Sequence, residues 1–361
     1  MLQVIPVQRC DELRRDSAAG EDSAARNWHA WSMGDGGPSR EIIVIGGSAG
    51  AADVLVRFLS DLPSTLPAAV FIVVHVLPAS ENYLPALLRR VSALPVRAAH
   101  DGDRIEPGRI LIAPPDRHMI LHVDHVELTR GPTENSSRPA IDPLFRSAAE
   151  SFGPGVCALL LSGHLSDGTI GLRRVATCGG VAMAQDPSEA LYPEMPRNGI
   201  AAVQSCLVIP PERLAASIVA AATGKLESTP IRDPVPAPAL PSTEGILWAS
   251  DVPGTPSGLT CPECHGALWS DEEPGSQSLR CRIGHRFSYE TLEHLQRVEV
   301  ERAMLAAVRA LREEAVVAGR IAATAESGAL SEMAERFRER EQAASHHADV
   351  VLSVLQEPFS P

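Results

Sequence analysis

The sequence is short of lysine, and it lacks both a basic excess and a long apolar run. Lys225 is the only lysine among 32 cationic side chains, and the formal net charge at pH 7 is −13. This balance argues against a nucleic-acid binder and against a polybasic segment that adheres to membranes. No apolar run approaches the roughly 20 residues of a membrane span, and the N-terminus lacks the apolar middle of a secretory signal. We therefore expect a cytoplasmic protein without direct membrane insertion.

A disulfide framework is also missing. The seven cysteines are odd in number, and three of them (Cys261, Cys264 and Cys281) cluster near the C-terminus. Clustered cysteines without an even pairing pattern favour a reducing compartment and metal binding.

The pattern along the chain predicts five segments. A polar, aperiodic start is followed by alternating apolar and amphipathic stretches, a Pro-rich stretch, a compact Cys/His segment and a long helical tail. We expect a disordered leader at 1–38, an α/β domain at 39–226, a linker at 227–257, a zinc-ribbon-like module at 258–288 and a helical hairpin at 289–357.

The second segment has the pattern of a doubly wound α/β fold. Its short apolar runs, which predict strands of a mostly parallel sheet buried on both faces, are "EIIVI", "AAVFIVVHV", "GRILIAP", "GVCALLLS", "GGVAMAQ" and "SCLVIP". Within it, "RILIAPPDRHMILHVDHVELT" predicts an inserted antiparallel hairpin.

The first predicted strand runs into Gly46-Gly47-Ser48-Ala49-Gly50, which has the form G-x-S-x-G. A phosphate-binding loop would need Lys and Ser or Thr after the glycines, and Ala51 and Ala52 stand there instead. A dinucleotide-binding turn has different glycine spacing and an acidic residue on the next strand, so it stays only a weak alternative. A turn of this form between a strand and a helix favours Ser48 as a nucleophile, although a serine there also suits a helix N-cap.

Partners for Ser48 are expected at other strand ends. His75 ends the next apolar strand, and Asp167 follows a later one in a Gly-rich loop. A base and an orienting carboxylate complete a serine triad, and parallel strands bring such residues to one sheet edge. The alternatives are a core histidine for His75 and a helix N-cap for Asp167. The order Ser, His, Asp argues against the α/β-hydrolase superfamily.

Six ordered motifs between about Arg40 and Val208 resemble the catalytic domain of CheB-type chemotaxis protein-glutamate methylesterases: "IGGSAGA", "VVHVLP", "ILIAPPDRHMIL", "RPAIDPLFRSAAE", "LLLSGHLSDGTIGL" and "EMPRNGIAA". The resemblance implies a doubly wound α/β fold with Ser48 as nucleophile, His75 as base and Asp167 as orienting acid. It also implies hydrolysis of glutamyl γ-methyl esters, and in some members deamidation of glutamine, on chemoreceptor signalling helices. No cofactor is expected for that catalysis.

The sequence departs from the family at three points. Ala49 follows the nucleophile where many members carry a hydroxyl residue, and His164 replaces a frequent methionine in the Asp167 loop. We expect Ala49 and His164 in the oxyanion or substrate loop, with an exposed loop histidine as the alternative for His164. Only some 40 residues precede the catalytic segment, which leads us to expect no phosphoacceptor domain and control from elsewhere.

The Cys/His segment has the spacing of a structural zinc site. Cys261 and Cys264 form C-x-x-C, and Cys281 and His285 follow four residues apart. Three thiolates and one imidazole suit tetrahedral zinc.

The tail predicts two helices: the first has Met304, Val308, Leu311 and Ala315 on one stripe, and the second carries Met333, Phe337, Val350 and Val354. Neither zinc module nor hairpin is expected to add to the hydrolytic chemistry. They are expected to dock the enzyme on receptors or other chemosensory components. The alternative function is a non-catalytic scaffold of a signalling complex that uses the zinc-hairpin module, and a nucleotide-binding protein is a distant third.

Overall fold

The computed structural model describes residues 40–76, 82–226, 254–270, 278–328 and 330–356. The predicted leader at 1–38 and nearly all of the predicted linker at 227–257 lie outside these residues. The chain divides into two compact units, residues 1–291 and 292–361. Within the described ranges, no helix has both the length and the apolar character needed to cross a bilayer.

A seven-stranded parallel sheet forms the centre of the first unit, in the order β3-β4-β2-β1-β7-β8-β9. All six predicted strands are present in it, and the edge strand β3, which has only three residues, was not predicted. The strands are β1 (Ile42–Gly47), β2 (Ala69–Val74), β3 (Val96–Ala98), β4 (Ile110–Ile112), β7 (Val156–Leu160), β8 (Val181–Gln185) and β9 (Leu207–Ile209).

Helices cover both faces of this sheet, as near-continuous apolar strands require. One core layer contains α1 (Ala51–Leu59), α2 (Leu84–Arg89) and α6 (Leu214–Ala222). The opposite layer contains α3 (Ile141–Phe152), α4 (Thr169–Thr177) and α5 (Glu194–Ala202). Short 3₁₀ turns at Gly153–Gly155 and Pro211–Arg213 precede β7 and α6. The doubly wound α/β prediction is confirmed.

The predicted antiparallel insertion is also present. Strands β5 (His118–Leu121) and β6 (Val126–Thr129) pair antiparallel, and Met119, Leu121 and Val126 are buried in the same core layer as α3. Ser147 of α3 donates its hydroxyl to Leu144 O and accepts the Leu121 N–H at 3.0 Å. The hairpin therefore packs on the helix that starts at the site described below.

The Cys/His segment forms a four-stranded antiparallel sheet within the first unit. Its strands are β10 (Thr255–Thr260), β11 (Ala267–Ser270), β12 (Ser278–Cys281) and β13 (Arg286–Ser288), in sequential order. We call residues 254–270 and 278–288 the Cys/His module. Leu268, Leu279 and Phe287 are its fully buried apolar side chains, a core too small to hold such a fold by itself.

The second unit is built from helices α7 (Tyr289–Ser327), whose first turn belongs to the first unit, and α8 (Ser331–Gln356). Glu314 with Arg340 and Glu326 with Arg338 form ion pairs that join the two helices in an antiparallel arrangement. The buried positions along α7 repeat at the helical spacing predicted from the sequence: Val308, Ala315, Ala318, Ala322 and Ala325.

On α8 the larger apolar side chains noted in the sequence are not the ones that the helix buries. Met333, Val350 and Val354 are exposed, and Ala334, Ala344 and Ala348 are the buried side chains. An added Cβ on Gly319 of α7 would lie 2.7 Å from a carboxylate oxygen of Glu341. Small residues let the helices approach closely, so the alanines rather than the larger side chains occupy the interface.

Candidate active site

Ser48 lies in the turn between β1 and α1, as the sequence predicts. Its backbone N–H donates to Ser162 O at 2.9 Å, and its carbonyl accepts the Ala51 N–H at 3.2 Å. Gly50 closes the turn at φ 77°, a left-handed conformation that glycine adopts without a steric penalty. The turn therefore presents a half-buried Ser48 at the carboxyl edge of the sheet, where α/β proteins build their sites.

The loop after β7 holds this turn in place. Ser162 donates its hydroxyl to Ala49 O at 2.8 Å and accepts the Tyr192 N–H at 3.0 Å. A Cβ on Gly163 would lie 2.9 Å from the Ser48 Cβ, closer than real Cβ contacts allow. Glycine at 163 thus permits the close approach of this loop to the serine.

His75 is the immediate neighbour of Ser48 along the sheet edge. Strands β1 and β2 are parallel, with Gly47 opposite Val74, and the His75 N–H donates to Gly47 O at 3.2 Å. Ser48 and His75 are the next residues of their strands beyond this last pair. The His75 side chain is 20% exposed, so the imidazole lies at the edge of the sheet and not in the core.

The His75 ring contacts Asp167, which follows β7 on the other side of β1. His75 Nε2 lies 2.7 Å from Asp167 Oδ2. Since an ionised carboxylate only accepts hydrogen bonds, Nε2 carries the proton and Nδ1 is the ring nitrogen with a free lone pair. The structure therefore joins two of the three predicted side chains directly and places the third beside them.

Asp167 is 1% exposed, and every donor it needs is supplied by the protein. Besides His75, it accepts four further hydrogen bonds, from Ile141 N–H at 2.7 Å, Asn135 Nδ2 at 3.1 Å, Asp142 N–H at 3.2 Å and Gly168 N–H at 3.0 Å. Ile141 and Asp142 open α3, so this carboxylate caps that helix and lies at the positive end of its dipole. Asp167 therefore does not cap the helix that begins at Thr169, the alternative that its sequence position suggested, but caps a different helix.

These contacts keep Asp167 ionised. Burial desolvates the carboxylate and by itself would raise the pKa, but the hydrogen bond and charge of His75, with the donors of Ile141 and Asn135, hold the pKa of Asp167 below its ordinary value.

A second buried carboxyl group lies beside it. Asp142 accepts the Gly171 N–H at 2.7 Å and Asn135 Nδ2 at 3.0 Å. Burial and the negative charge of Asp167 raise the pKa of Asp142 well above its ordinary value. Of the two carboxyl groups, Asp167 is therefore the stronger acid and Asp142 the weaker one.

The loop that supplies Asn135 is anchored on both sides. Glu134 forms a bidentate ion pair with Arg146 of α3, with N–O distances of 2.7 and 3.1 Å. Burial alone would raise the pKa of Glu134, but the charge of Arg146 and its hydrogen bonds to Glu134 lower that pKa below its ordinary value. His118 of β5 donates Nε2–H to Pro132 O at 2.9 Å and accepts the Ala140 N–H on Nδ1, and burial lowers its pKa, so it serves as a neutral brace.

Ala49 and His164 border the Ser48 turn. Across the described residues, neither backbone N–H has a hydrogen-bond acceptor in the protein, whereas the Gly163 N–H between them donates to Tyr192 O. The His164 side chain is 57% exposed, stacks at a tilt on Tyr192 and lies 3.5 Å from Glu194. The side chain is thus an exposed loop histidine, and the backbone N–H groups of Ala49 and His164 lack an acceptor among the described residues.

The predicted metal ligands converge into one cluster. The ligand atoms of Cys261, Cys264, Cys281 and His285 all lie within 4.8 Å of one another. Closer pairs are Cys264 and Cys281 at 3.6 Å between sulfurs, and His285 Nδ1 at 3.6 Å from Cys261 Sγ and 3.5 Å from Cys281 Sγ. The cluster is half-buried and forms a possible metal-binding site.

Sequence reasoning missed Asn135, Ile141 and Asp142. The latter two lie within "RPAIDPLFRSAAE", which pointed to the family but not to any role for these residues. Asn135 adopts φ 49°, a left-handed conformation that asparagine tolerates better than most residues. A polar Asn in a loop carries no signal of a partner 32 residues away.

The fold and the site together define a doubly wound α/β domain in which Ser48, His75 and Asp167 lie at one edge of the sheet. Residues 43–218 match the family model described as CheB methylesterase, and this part of the chain belongs to that family. The family resemblance predicted from the motifs is thereby confirmed.

Similar proteins cover the same region. The chain is 36% identical over 188 residues to "Protein-glutamate methylesterase/protein-glutamine glutaminase 2" of Methanosarcina acetivorans, covering 50% of this chain and 53% of the relative. It is 36% identical over 185 residues to the protein of the same name from Pseudomonas aeruginosa, covering 50% and 53%. The crystal structure of the Thermotoga maritima CheB methylesterase catalytic domain is 31% identical, with a TM-score of 0.49, and the match covers 50% of this chain and 98% of that one. The chain spans about half the length of the curated relatives it matches.

Proposed function

We propose that the α/β domain is a serine hydrolase that removes the methyl group from glutamyl γ-methyl esters of chemoreceptor-like proteins. The observation that supports it most is the 2.7 Å contact between His75 and the buried, ionised Asp167, next to Ser48 at the adjacent strand end. The substrate bond is inferred from the names of the curated relatives.

In the proposed reaction, Ser48 Oγ attacks the γ-carbonyl carbon while its proton passes to His75 Nδ1. Asp167 holds the ring by Nε2 and stabilises the imidazolium that forms. Collapse of the tetrahedral intermediate transfers this proton to the leaving oxygen and releases methanol, leaving an acyl-enzyme on Ser48. Water, deprotonated by the same nitrogen, then releases the glutamate side chain and restores the serine.

The backbone N–H groups of Ala49 and His164 are proposed as the oxyanion donors. Both lack an acceptor among the described residues and belong to the loops that follow β1 and β7, and backbone donors suit an oxyanion regardless of the side chain. Replacement of a hydroxyl residue or a methionine at these positions is therefore compatible with activity.

The γ-amide of glutamine is proposed as a second substrate of the same site. The curated relatives carry both activities in their names, and both bonds pass through the same acyl-enzyme, with ammonia replacing methanol as the leaving group. Nucleophile, base and donors all come from the chain, so the proposed catalysis needs no cofactor.

We further propose that Cys261, Cys264, Cys281 and His285 hold a structural zinc ion. Zinc bonds of about 2.3 Å to sulfur and about 2.0–2.1 Å to nitrogen, at tetrahedral angles, separate the ligand atoms by about 3.5–3.8 Å. The observed separations of 3.5 and 3.6 Å between ligand atoms agree with that geometry. In such a site zinc contributes folding energy and takes no part in ester hydrolysis.

The proposed partners are methylated signalling helices of chemoreceptor-like proteins and other chemosensory components. The helical second unit is the candidate for recognising them, and a cytoplasmic location stays a prediction from the cysteine pattern.

Methanol release from methylated receptor fragments tests the function. We expect turnover by the wild type and a loss on the order of 10⁶-fold in Ser48→Ala, because triad members act as a unit. Ser60→Ala, at an exposed serine beyond the other end of α1, is the matched control and should keep full activity. Equal turnover by Ser48→Ala would refute the nucleophile, and a folded, zinc-loaded protein without any turnover would favour the scaffold alternative.

A further inference from the structure

The Cys/His module lies directly against the loop that supports Asp167. The Asn135 backbone N–H donates to Arg286 O of β13 at 2.9 Å, and its Oδ1 accepts the Ser288 N–H at 3.1 Å. The backbones of Glu134 and Arg286 also form an isolated parallel β-bridge. Asn135 thus extends the edge of the module's sheet by both its main chain and its side chain.

The same Asn135 amide reaches the active site from its other end. Nδ2 donates one hydrogen to Asp167 Oδ1 at 3.1 Å and one to Asp142 Oδ2 at 3.0 Å. The Ser288 N–H fixes which end of the amide faces the carboxyl groups, because only Oδ1 can accept it. With the amide turned over, Oδ1 would face the Asp167 charge, and Nδ2 would face another donor.

A second contact joins the module to the residue before Asp167. The Ser166 and Ser288 hydroxyls lie 2.6 Å apart, and Thr291 Oγ1 lies 3.2 Å from Ser166 Oγ. All three side chains are buried. Next to them, Leu165 adopts φ 63°, a conformation that strains a non-glycine residue and persists only where the surroundings hold it.

The metal ligands in turn define β13. His285 immediately precedes Arg286, the Cys281 N–H donates to His285 O at 3.0 Å, and β13 pairs with the strand that ends at Cys281. A segment with so small a core depends on its metal for a fixed conformation. Loss of the metal would free β13, and Asn135 would lose the Ser288 donor that orients its amide.

We propose that Asn135 is a positioning residue for Asp167, and that through it the metal-loaded Cys/His module sets the rate of ester hydrolysis; this rests on the function proposed above. The module is then part of the catalytic support, in contrast to the sequence expectation that it adds nothing to the chemistry. Asn135 touches no reacting atom and acts by holding Asp167, which holds His75.

The first arm of the test compares Asn135→Gly with Ser136→Gly in the full chain loaded with zinc. Both residues have left-handed backbones, at φ 49° and 57°, so glycine relieves each equally, and Ser136 is exposed. On a γ-methyl ester of a short glutamyl peptide, Asn135→Gly should lower kcat about 10- to 100-fold, the range expected for a hydrogen bond to a charged group, with little change in KM. Ser136→Gly should match the wild type.

The second arm removes the metal with a zinc chelator under reducing conditions and then restores it. We expect depletion to lower kcat of the wild type by a similar factor, reversibly, and to change Asn135→Gly little, because both act through the same contact. Zinc is the ion added back, and a magnesium arm controls for a general cation effect.

Hydrogen exchange of the Ile141 and Asp142 amides gives a readout apart from activity, since both donate to Asp167. Depletion and Asn135→Gly should each speed their exchange, and Ser136→Gly should not. Unchanged kcat and exchange in Asn135→Gly would overturn the positioning role. Unchanged values in depleted protein would overturn metal control, whether or not residues 278–288 lose protection. Changed exchange without any ester turnover in the loaded wild type would instead refute the proposed function alone.

Discussion

At the scale of single residues, the site is governed by one buried carboxylate with five N–H donors. Asp167 accepts hydrogen bonds from five residues: His75, Asn135, Ile141, Asp142 and Gly168. A carboxylate with this many donors stays ionised although it is buried, because the hydrogen bonds replace those of water. That charge fixes the tautomer of His75 on which the proposed base depends.

Asp167→Asn should therefore lower kcat on the order of 10⁴-fold, because an amide there can present its NH₂ to His75 and hold the ring in the wrong tautomer. The fold should persist, since the amide fills the same volume. Steady-state kinetics on a small glutamyl ester, with circular dichroism as a check of folding, would measure this. Activity within tenfold of the wild type would show that Asp167 does not orient the base.

The raised pKa of Asp142 leads us to expect that the free energy of unfolding depends on pH. Its pKa is raised in the folded protein, so between the ordinary aspartate value near 4 and that raised pKa the folded state holds a proton that the unfolded chain has lost. The stabilising contribution is complete below pH ~4 and is lost as pH rises through the folded pKa, at up to about 1.4 kcal/mol per pH unit.

Asp142→Asn removes this titration. The new amide meets the Asn135 donor, so the variant should be less stable at every pH, but its deficit against the wild type should narrow as pH rises from 4 to 8. Urea unfolding of both proteins at each pH measures the difference, and any zinc contribution common to both cancels. A deficit that stays constant or widens with pH would contradict a protonated Asp142.

At the scale of elements, the short strands β12 and β13 do more than complete a small sheet. Cys281 and His285 bracket the turn between them, and β13 contacts the Asn135 loop. Metal binding is thus expected to order an element that also supports the site.

Cys281→Ser should abolish the binding of about one zinc ion per chain and expose the amides of residues 255–270 and 278–288 to exchange, because a serine hydroxyl replaces a thiolate ligand. Esterase activity should fall by the same factor as in chelated protein. Cys206→Ser, at a half-buried cysteine outside the cluster, is the control. Full zinc content in Cys281→Ser would refute the ligand assignment.

At the scale of the whole molecule, the chain divides at residues 291 and 292, and the site and the Cys/His module both belong to the first unit. The first compact unit therefore combines two of the predicted segments, the domain at 39–226 and the module at 258–288. The predicted linker at 227–257 precedes the module in the chain, yet the module belongs to the same compact unit as the α/β domain.

A chain ending after Arg297 should keep small-ester hydrolysis within about twofold, since it retains the whole first unit and the start of α7. A chain ending after Lys225 should lose about 10- to 100-fold, because it lacks the Ser288 N–H that orients Asn135. If α7 and α8 recognise receptors, the chain that ends after Arg297 should demethylate receptor fragments more slowly than the intact chain. Equal small-ester activity of the two truncated proteins would contradict a catalytic contribution of the module.

The sequence by itself determined the parts of the protein that follow from periodicity and chain direction. Apolar runs gave the strands because a parallel sheet buries both faces, and Ser48, His75 and Asp167 were found because each follows such a run. The four residues of the Cys/His cluster could be predicted from their spacing, since a C-x-x-C turn and a close Cys/His pair suit the geometry of one ion.

Only the tertiary structure decided what joins these parts. That Asn135 links Asp167 to Ser288 depends on loops brought together from residues 32 and 153 positions apart. The raised pKa of Asp142 likewise depends on its burial beside Asp167. The buried face of α8 was likewise decided by packing, because alanines allow the close approach that Met333 and Val350 would prevent. Such contacts leave no local pattern, since hydrogen bonds between loops and the fit of small side chains depend on the position of each partner in three dimensions.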